Sequence, residues 1–147
     1  MEAITNLAVS WVLFLVSAFG FLASLIAGPL TTVALAVKRV RTKPRLLIER
    51  LSTYLFSLAI TLDCGCNVLC GDLANEFWLR EGGYPFGLPN QTLSGVLGVN
   101  EQYGLLRSGA QSLANFLDRL QRNHCLRAAK YITSTPDFTA WLAGRVN

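Results

Sequence analysis

Between Glu2 and Lys38 the sequence carries no charged residue. Charge is scarce throughout, at 15% of residues against an ordinary soluble share of about 25%, but that first stretch concentrates the deficit. Histidine occurs once, at His124, and the four cysteines fall in no regular framework. The cysteine pattern excludes a disulfide-stapled secreted fold. Phosphate-binding glycine loops, zinc-protease helices and nucleophile elbows are absent, and no segment alternates convincingly as a β-strand. With 147 residues there is room for one modest domain, or for a membrane anchor and a smaller module.

What is there begins with Trp11 to Leu30, WVLFLVSAFGFLASLIAGPL, an uncharged run whose apolar character continues through Val37. A helix rising ~1.5 Å per residue needs roughly 20 residues to cross a hydrocarbon core of ~30 Å. Unpaired backbone amides in lipid would each cost several kcal/mol, so a spanning segment of this kind is helical. Gly28-Pro29 is expected to kink it, because proline removes a donor and crowds the preceding turn. A core helix of a soluble fold is the competing reading, but the remaining residues are too few to enclose so long an apolar cylinder. The residues before Trp11 offer Glu2 and no cation, so a retained anchor is expected over a cleaved signal peptide.

The surplus of positive charge follows at once. Lys38, Arg39, Arg41, Lys43, Arg45 and Arg50 face a single Glu49 in the segment 38–50. By the positive-inside rule this stretch is cytoplasmic and the N-terminus faces outward. The same residues could meet anionic lipid headgroups, but topology accounts for them without a further partner. The net charge of +4 comes mostly from this cluster, so no nucleic-acid partner is expected.

Leu51 to Cys70, LSTYLFSLAITLDCGCNVLC, suits a second span in length, yet contains Asp63. A carboxylate at mid-bilayer costs at least about 2.5–3.5 kcal/mol on insertion scales. Either the segment crosses, completing a two-helix membrane hairpin, or Leu46 to Leu62 lies half-inserted along the inner surface. The hairpin is the favoured expectation. After Asp72 the composition turns ordinary, with seven Lys/Arg and six Asp/Glu over residues 72–147. The expected organisation is therefore all-α: a membrane anchor over 1–71 with the basic loop 38–50, then a small helical C-terminal module over 72–147. Within the module, residues 81–89 are a loop dense in glycine and proline. Asn90 is a plausible N-cap for a short helix over 91–97 ended by Gly98. Leu106, Ala110, Leu113, Leu117 and Leu120 form one helical stripe. A helix around 125–133 and a tail containing Trp141 complete the chain.

Few residues invite chemistry. Cys64, Cys66 and Cys70 fall within seven positions, but structural zinc prefers two converging pairs, and on a helix Cys64 points away from the other two. Neither a metal nor another cofactor is expected. His124 adjoins Cys125, and neighbours on one helix diverge by about 100°, so the two do not make a nucleophile–base pair. His124 with Asp63 and with Thr92 or Ser94 is the remaining catalytic combination; a helix-terminal histidine bonded to carbonyl oxygens is the ordinary one. Asp63 and Asn67 lie one turn apart and present polar groups to one side. Ionisable groups at membrane depth suggest function, while the alternative role of the pair is to dock the loop 87–94 onto the helix by side-chain hydrogen bonds.

The arrangement of Asp63, Asn67, Leu69 and Gly71, then Leu88-Pro89-Asn90-Gln91-Thr92-Leu93-Ser94 with Gly98, and finally His124-Cys125 with Ala128, resembles small membrane-associated proteins of tailed phages and proteobacterial prophages that have no settled activity. The resemblance covers roughly Leu58 to Ala129. Gln91 stands where that group usually has an acidic residue, and the stretch 72–86 reads as an insertion; both departures weaken any carboxylate-based mechanism implied by the resemblance. The resemblance implies a phage or prophage context at the host inner membrane rather than a reaction. The function expected is that of a membrane-anchored accessory protein acting as an interaction module. A holin-like lysis protein and a membrane-tethered hydrolase are the alternatives. The partners expected are the lipid bilayer and a membrane or phage protein, and an oligomer is compatible with this sequence.

Overall fold

A computed structural model describes residues 2–40 and 44–146; at 2–8, 36, 39–40, 44–47 and 146 the description is of the backbone alone. The described residues form seven α-helices: α1 (Glu2–Val40), α2 (Pro44–Leu69), α3 (Gly71–Trp78), α4 (Leu93–Gln102), α5 (Ser108–Leu120), α6 (His124–Ile132) and α7 (Pro136–Val146). The only strand-like pairing among them is a single antiparallel bridge between Leu79 and Leu106. The all-α class thus holds, and two of the helices are long and apolar enough for a membrane hairpin.

The chain divides into two compact units, Met1–Leu55 and Phe56–Asn147. The first is built on α1. Its apolar run Val9–Leu35 is long enough to cross a membrane, and none of it is buried inside the protein. Trp11, Leu15, Phe19, Ile26, Leu30 and Val33 all stand exposed. The helix is continuous through Pro29, and the Thr31 hydroxyl donates to the carbonyls of Ala27 (2.8 Å) and Gly28 (3.0 Å) in the turn around it. Gly28 lies where a Cβ would collide with the Tyr54 hydroxyl. Its lack of a side chain leaves room there for the Tyr54 ring of α2. Of the basic cluster, Lys38 is exposed on α1 and Arg50 on α2; Arg39, Arg41, Lys43 and Arg45 lie outside the residues whose side chains are described.

The second unit begins within α2, earlier than the change of composition at Asp72, so the distal turns of α2 belong with the C-terminal module. Its centre is α4, whose residues Ser94 to Asn100 are all buried. α6 packs along it and α5 packs against both. Val96, Leu97 and Val99 meet Ala110, Ala114, Cys125, Ala129 and Ile132 in one core, which Leu79, Tyr84, Phe86 and Phe138 extend. Small residues set the spacing. A Cβ on Gly98 would run into the carbonyl of Cys125, so Gly98 does not end the helix as its type suggests but sits inside α4 where α6 crosses it. Thr92, not Asn90, is the N-cap, with its hydroxyl accepting from the Gly95 amide; this bond is 3.1 Å. The buried face of α5 centres on Ala110 and Ala114, while Leu120 at the end of the expected stripe is exposed.

The tail is also helical. Thr135 precedes Pro136, the first residue of α7, and its hydroxyl accepts from the Phe138 amide at 3.3 Å. Pro at the first helical position after a capping Thr is a recognised start signal. α7 brings Phe138 and Trp141 against Tyr84 and Tyr103, with ring centroids 5.2–6.3 Å apart. Arg145 lies over the rings of Trp141 (5.1 Å) and Tyr103 (5.8 Å) and donates to the Gly82 carbonyl.

Candidate functional site: a polar clasp on the second long helix

The segment 80–92 joins α3 to α4 with almost no regular backbone pairing of its own. Its buried amides and carbonyls therefore need partners from elsewhere, because an unpaired buried backbone group costs about as much as a lost hydrogen bond. Three asparagines supply them. Asn67, fully buried on α2, donates to the carbonyls of Leu88 (2.9 Å) and Gln91 (3.0 Å) and accepts from the Gly87 amide (3.2 Å). Asn75 on α3 accepts from the Phe86 amide (2.7 Å) and donates to the Phe86 carbonyl (3.2 Å). Asn100 on α4 accepts from the Tyr84 amide (2.7 Å), and donates to the Tyr84 carbonyl and to Val96 O, both at 2.9 Å. A carboxamide is the one uncharged side chain that presents a donor and an acceptor side by side, so each asparagine stands in for the edge of a missing strand. Gly71 completes the fit: a Cβ there would lie 2.7 Å from the Cα of Gly87.

Asp63 works one turn earlier on α2. Its Oδ1 accepts from the Ser94 amide (3.1 Å) and its Oδ2 from the Ser94 hydroxyl (2.5 Å). Ser94 lies in the first turn of α4, so the carboxylate meets free amides and the positive end of the helix dipole. Asp118 does the same for α6, accepting from the Cys125 amide at 2.9 Å. Each of the two central helices thus begins on a carboxylate borrowed from another helix. The Asp63–Asn67 pair docks the loop 87–94 through side-chain hydrogen bonds, which was one of the two roles open to it.

Of the other candidates, Ser94 meets Asp63, and His124 bonds elsewhere. Thr92 caps its own helix, Ser94 is taken up by Asp63, and His124, at the start of α6, pairs through Nδ1 with Gln121 Oε1 at 2.8 Å. Among the described residues no hydrogen bond joins His124 to Asp63, Thr92 or Ser94. Cys125 is fully buried against α4, and its thiol is pushed up to about 12, first by burial and then by the carboxylates of Asp118, Glu101 and Asp63. A thiol held protonated in this way is not a nucleophile at neutral pH.

Cys64, Cys66 and Cys70 are free thiols at the end of α2, with Cys66 exposed and the other two half-buried. Among the described residues no three His, Cys, Asp or Glu side chains gather as a metal would require. Among the described residues two buried side-chain oxygens lack a partner, Glu101 Oε2 and one on Gln91. Gln91 donates to the Tyr84 hydroxyl (2.7 Å), but its Oε1 has no partner. Sequence reasoning found Asp63, Asn67 and the loop they hold. It missed Asn75 and Asn100, whose signal was faint: an asparagine on each of two short apolar helices flanking an irregular loop. No protein-family profile, curated protein or solved structure matches this chain.

Proposed function

We propose that this chain is an integral protein of a bacterial inner membrane, of phage or prophage context, that acts there as an interaction module. In this reading α1 is a lipid-embedded anchor, the basic segment 38–50 is cytoplasmic, and the C-terminal helical unit is the part that meets other molecules. The observation that carries it is the apolar run Val9–Leu35, none of which the protein itself buries. Exposing so many large apolar side chains to water would cost about 25 cal/mol per Å² of apolar surface, which lipid removes. The clasp supports the rest of the reading. Asp63, Asn67, Thr92 and Ser94 are spent on holding the loop and starting α4, and their chemistry is that of a joint between a long helix and a compact module.

The test is expression of the full chain in bacterial cells with the membrane potential recorded, followed by alkaline extraction of the inner membrane. The proposal expects the protein to stay in the extracted membrane while the potential holds. Release into the alkaline supernatant would refute the anchor. Retention with rapid depolarisation would replace the interaction module with the holin-like alternative.

A further inference from the structure

We propose that the C-terminal unit is seated on the bilayer through one face, formed by Leu69, Leu73 and Phe77, with lipid as its occupant. This rests on the membrane reading above and goes beyond it by naming the surface of the module that touches lipid.

The second candidate span is Ile48–Leu69, but its charges restrict what lipid can surround. Glu49 and Arg50 stand at one end and Asp63 near the other, leaving Leu51 to Leu62 uncharged. That run rises only about 18 Å at ~1.5 Å per residue, well short of the ~30 Å hydrocarbon core. Snorkelling by Arg50 recovers part of the difference. Beyond Leu62 the helix is no longer free all round, because Asp63 and Asn67 are clasped by Ser94 and by the backbone of 87–91. Lipid can reach the distal turns of α2 only from the opposite side.

That opposite side is apolar and open. Leu62 and Val68 are exposed there, and Leu69 is 75% exposed. The pattern continues past the end of α2 at four-residue intervals, with Leu73 at 60% and Phe77 at 62% exposure, while Gly71 and Ala74 turn inward. The backbone bonds Cys70 N to Cys66 O (2.9 Å) and Ala74 N to Cys70 O (2.7 Å) close the last turn of α2 and the first turn of α3, two helices that meet at Cys70. The stripe thus starts on the last exposed residue of the candidate span, Leu69, and follows it directly in the chain onto the exposed side of α3. One-sided immersion of these turns supplies the length that the uncharged run lacks, and it draws the module down onto the membrane. The helix α3 carries no Lys or Arg, and Asp72 and Glu76 flank the stripe, so the contact is apolar immersion and not attraction to anionic headgroups.

The test uses the full chain in vesicles of phosphatidylethanolamine and phosphatidylcholine doped with a phospholipid bearing a diazirine on its acyl chain. After irradiation, adducts are mapped by peptide mass spectrometry, with no substitution needed. The expected result is labelling at Leu69, Leu73 and Phe77 many-fold above that at Phe116, Leu120 and Tyr131, which are equally exposed elsewhere on the unit, and unchanged by high salt. Labelling of 9–35 with 69–77 no higher than those three controls would overturn the seating while leaving the anchor intact. Absence of adducts from both segments would overturn the anchor as well. Cross-linking of 69–77 to its own copy in place of lipid would assign the face to a second chain and also refute the proposal. The variant Leu73→Lys with Phe77→Lys should lose adducts over 69–77 and keep them over 9–35.

Discussion

Replacing Asn67 with alanine removes the three hydrogen bonds of a fully buried side chain, and the consequence can be estimated from what is left behind. The carbonyl of Gln91 belongs to a residue that is 3% exposed, so its loss of a partner should cost about 2 kcal/mol. The Leu88 carbonyl and Gly87 amide belong to half-buried residues and can recover some hydration, so about 1 kcal/mol each is reasonable. The sum is about 4 kcal/mol. For a unit of this size each kcal/mol moves the midpoint by about 4–8 °C, so the C-terminal unit should melt well over 10 °C lower. The assay is thermal unfolding of the full chain in detergent, followed by near-ultraviolet circular dichroism of the aromatic cluster at Tyr84, Phe138 and Trp141. A midpoint within a few degrees of the parent would refute the clasp as the device that holds the loop 84–91. Asn100→Ala should behave similarly, because it satisfies both backbone groups of the buried Tyr84.

Three further outcomes follow from the same geometry. Gly98→Ala should destabilise the unit by at least about 1–3 kcal/mol, the usual cost of overpacking, since the new methyl meets backbone of Cys125 and not a yielding side chain; the thermal midpoint checks it. Asp63→Ala should cost about 1 kcal/mol through loss of a cap-like contact at the start of α4, and amide exchange should quicken first at 94–96. Cys125 should resist thiol reagents at pH 8 in the folded chain and react on denaturation. Burial pushes its thiol from the ordinary value of 9.0 up to about 12, so the stabilisation this reflects is complete below about pH 9 and fades as pH rises toward 12. Unfolding midpoints of the parent should therefore fall over that window more steeply than those of Cys125→Ala.

What the sequence made legible follows from how local each signal is. The charge desert before Lys38 and the apolar run 11–30 are visible in one dimension because membrane spans are defined by composition along the chain. The role of Asp63 and Asn67 was half-legible: their spacing put them on one face, and a nearby loop needed partners. Gly98 misled because glycine commonly ends helices, and only the crossing of α6 at Cys125 gives it a different reason to be there. Asn90 and Thr92 are both good caps by type, and the choice between them depends on which amide each can reach. The helix α7 had a readable start in Thr135-Pro136, but its packing partners, Tyr84 and Tyr103, are distant in sequence. The stripe on α5 was recognised, while its true centre at Ala110 and Ala114 reflects the close approach of α4, which no periodicity reports.

The most direct measurement is hydrogen–deuterium exchange on the full chain in lipid nanodiscs. A helix that no protein covers and that water surrounds should exchange its amides quickly, whereas one sheathed in hydrocarbon has no solvent to exchange with. Amides of 9–35 remaining protected for hours, alongside those of the buried α4, is the predicted result. Exchange of 9–35 within minutes while α4 stays protected would mean that this helix lies in water, and the account would be wrong at its base.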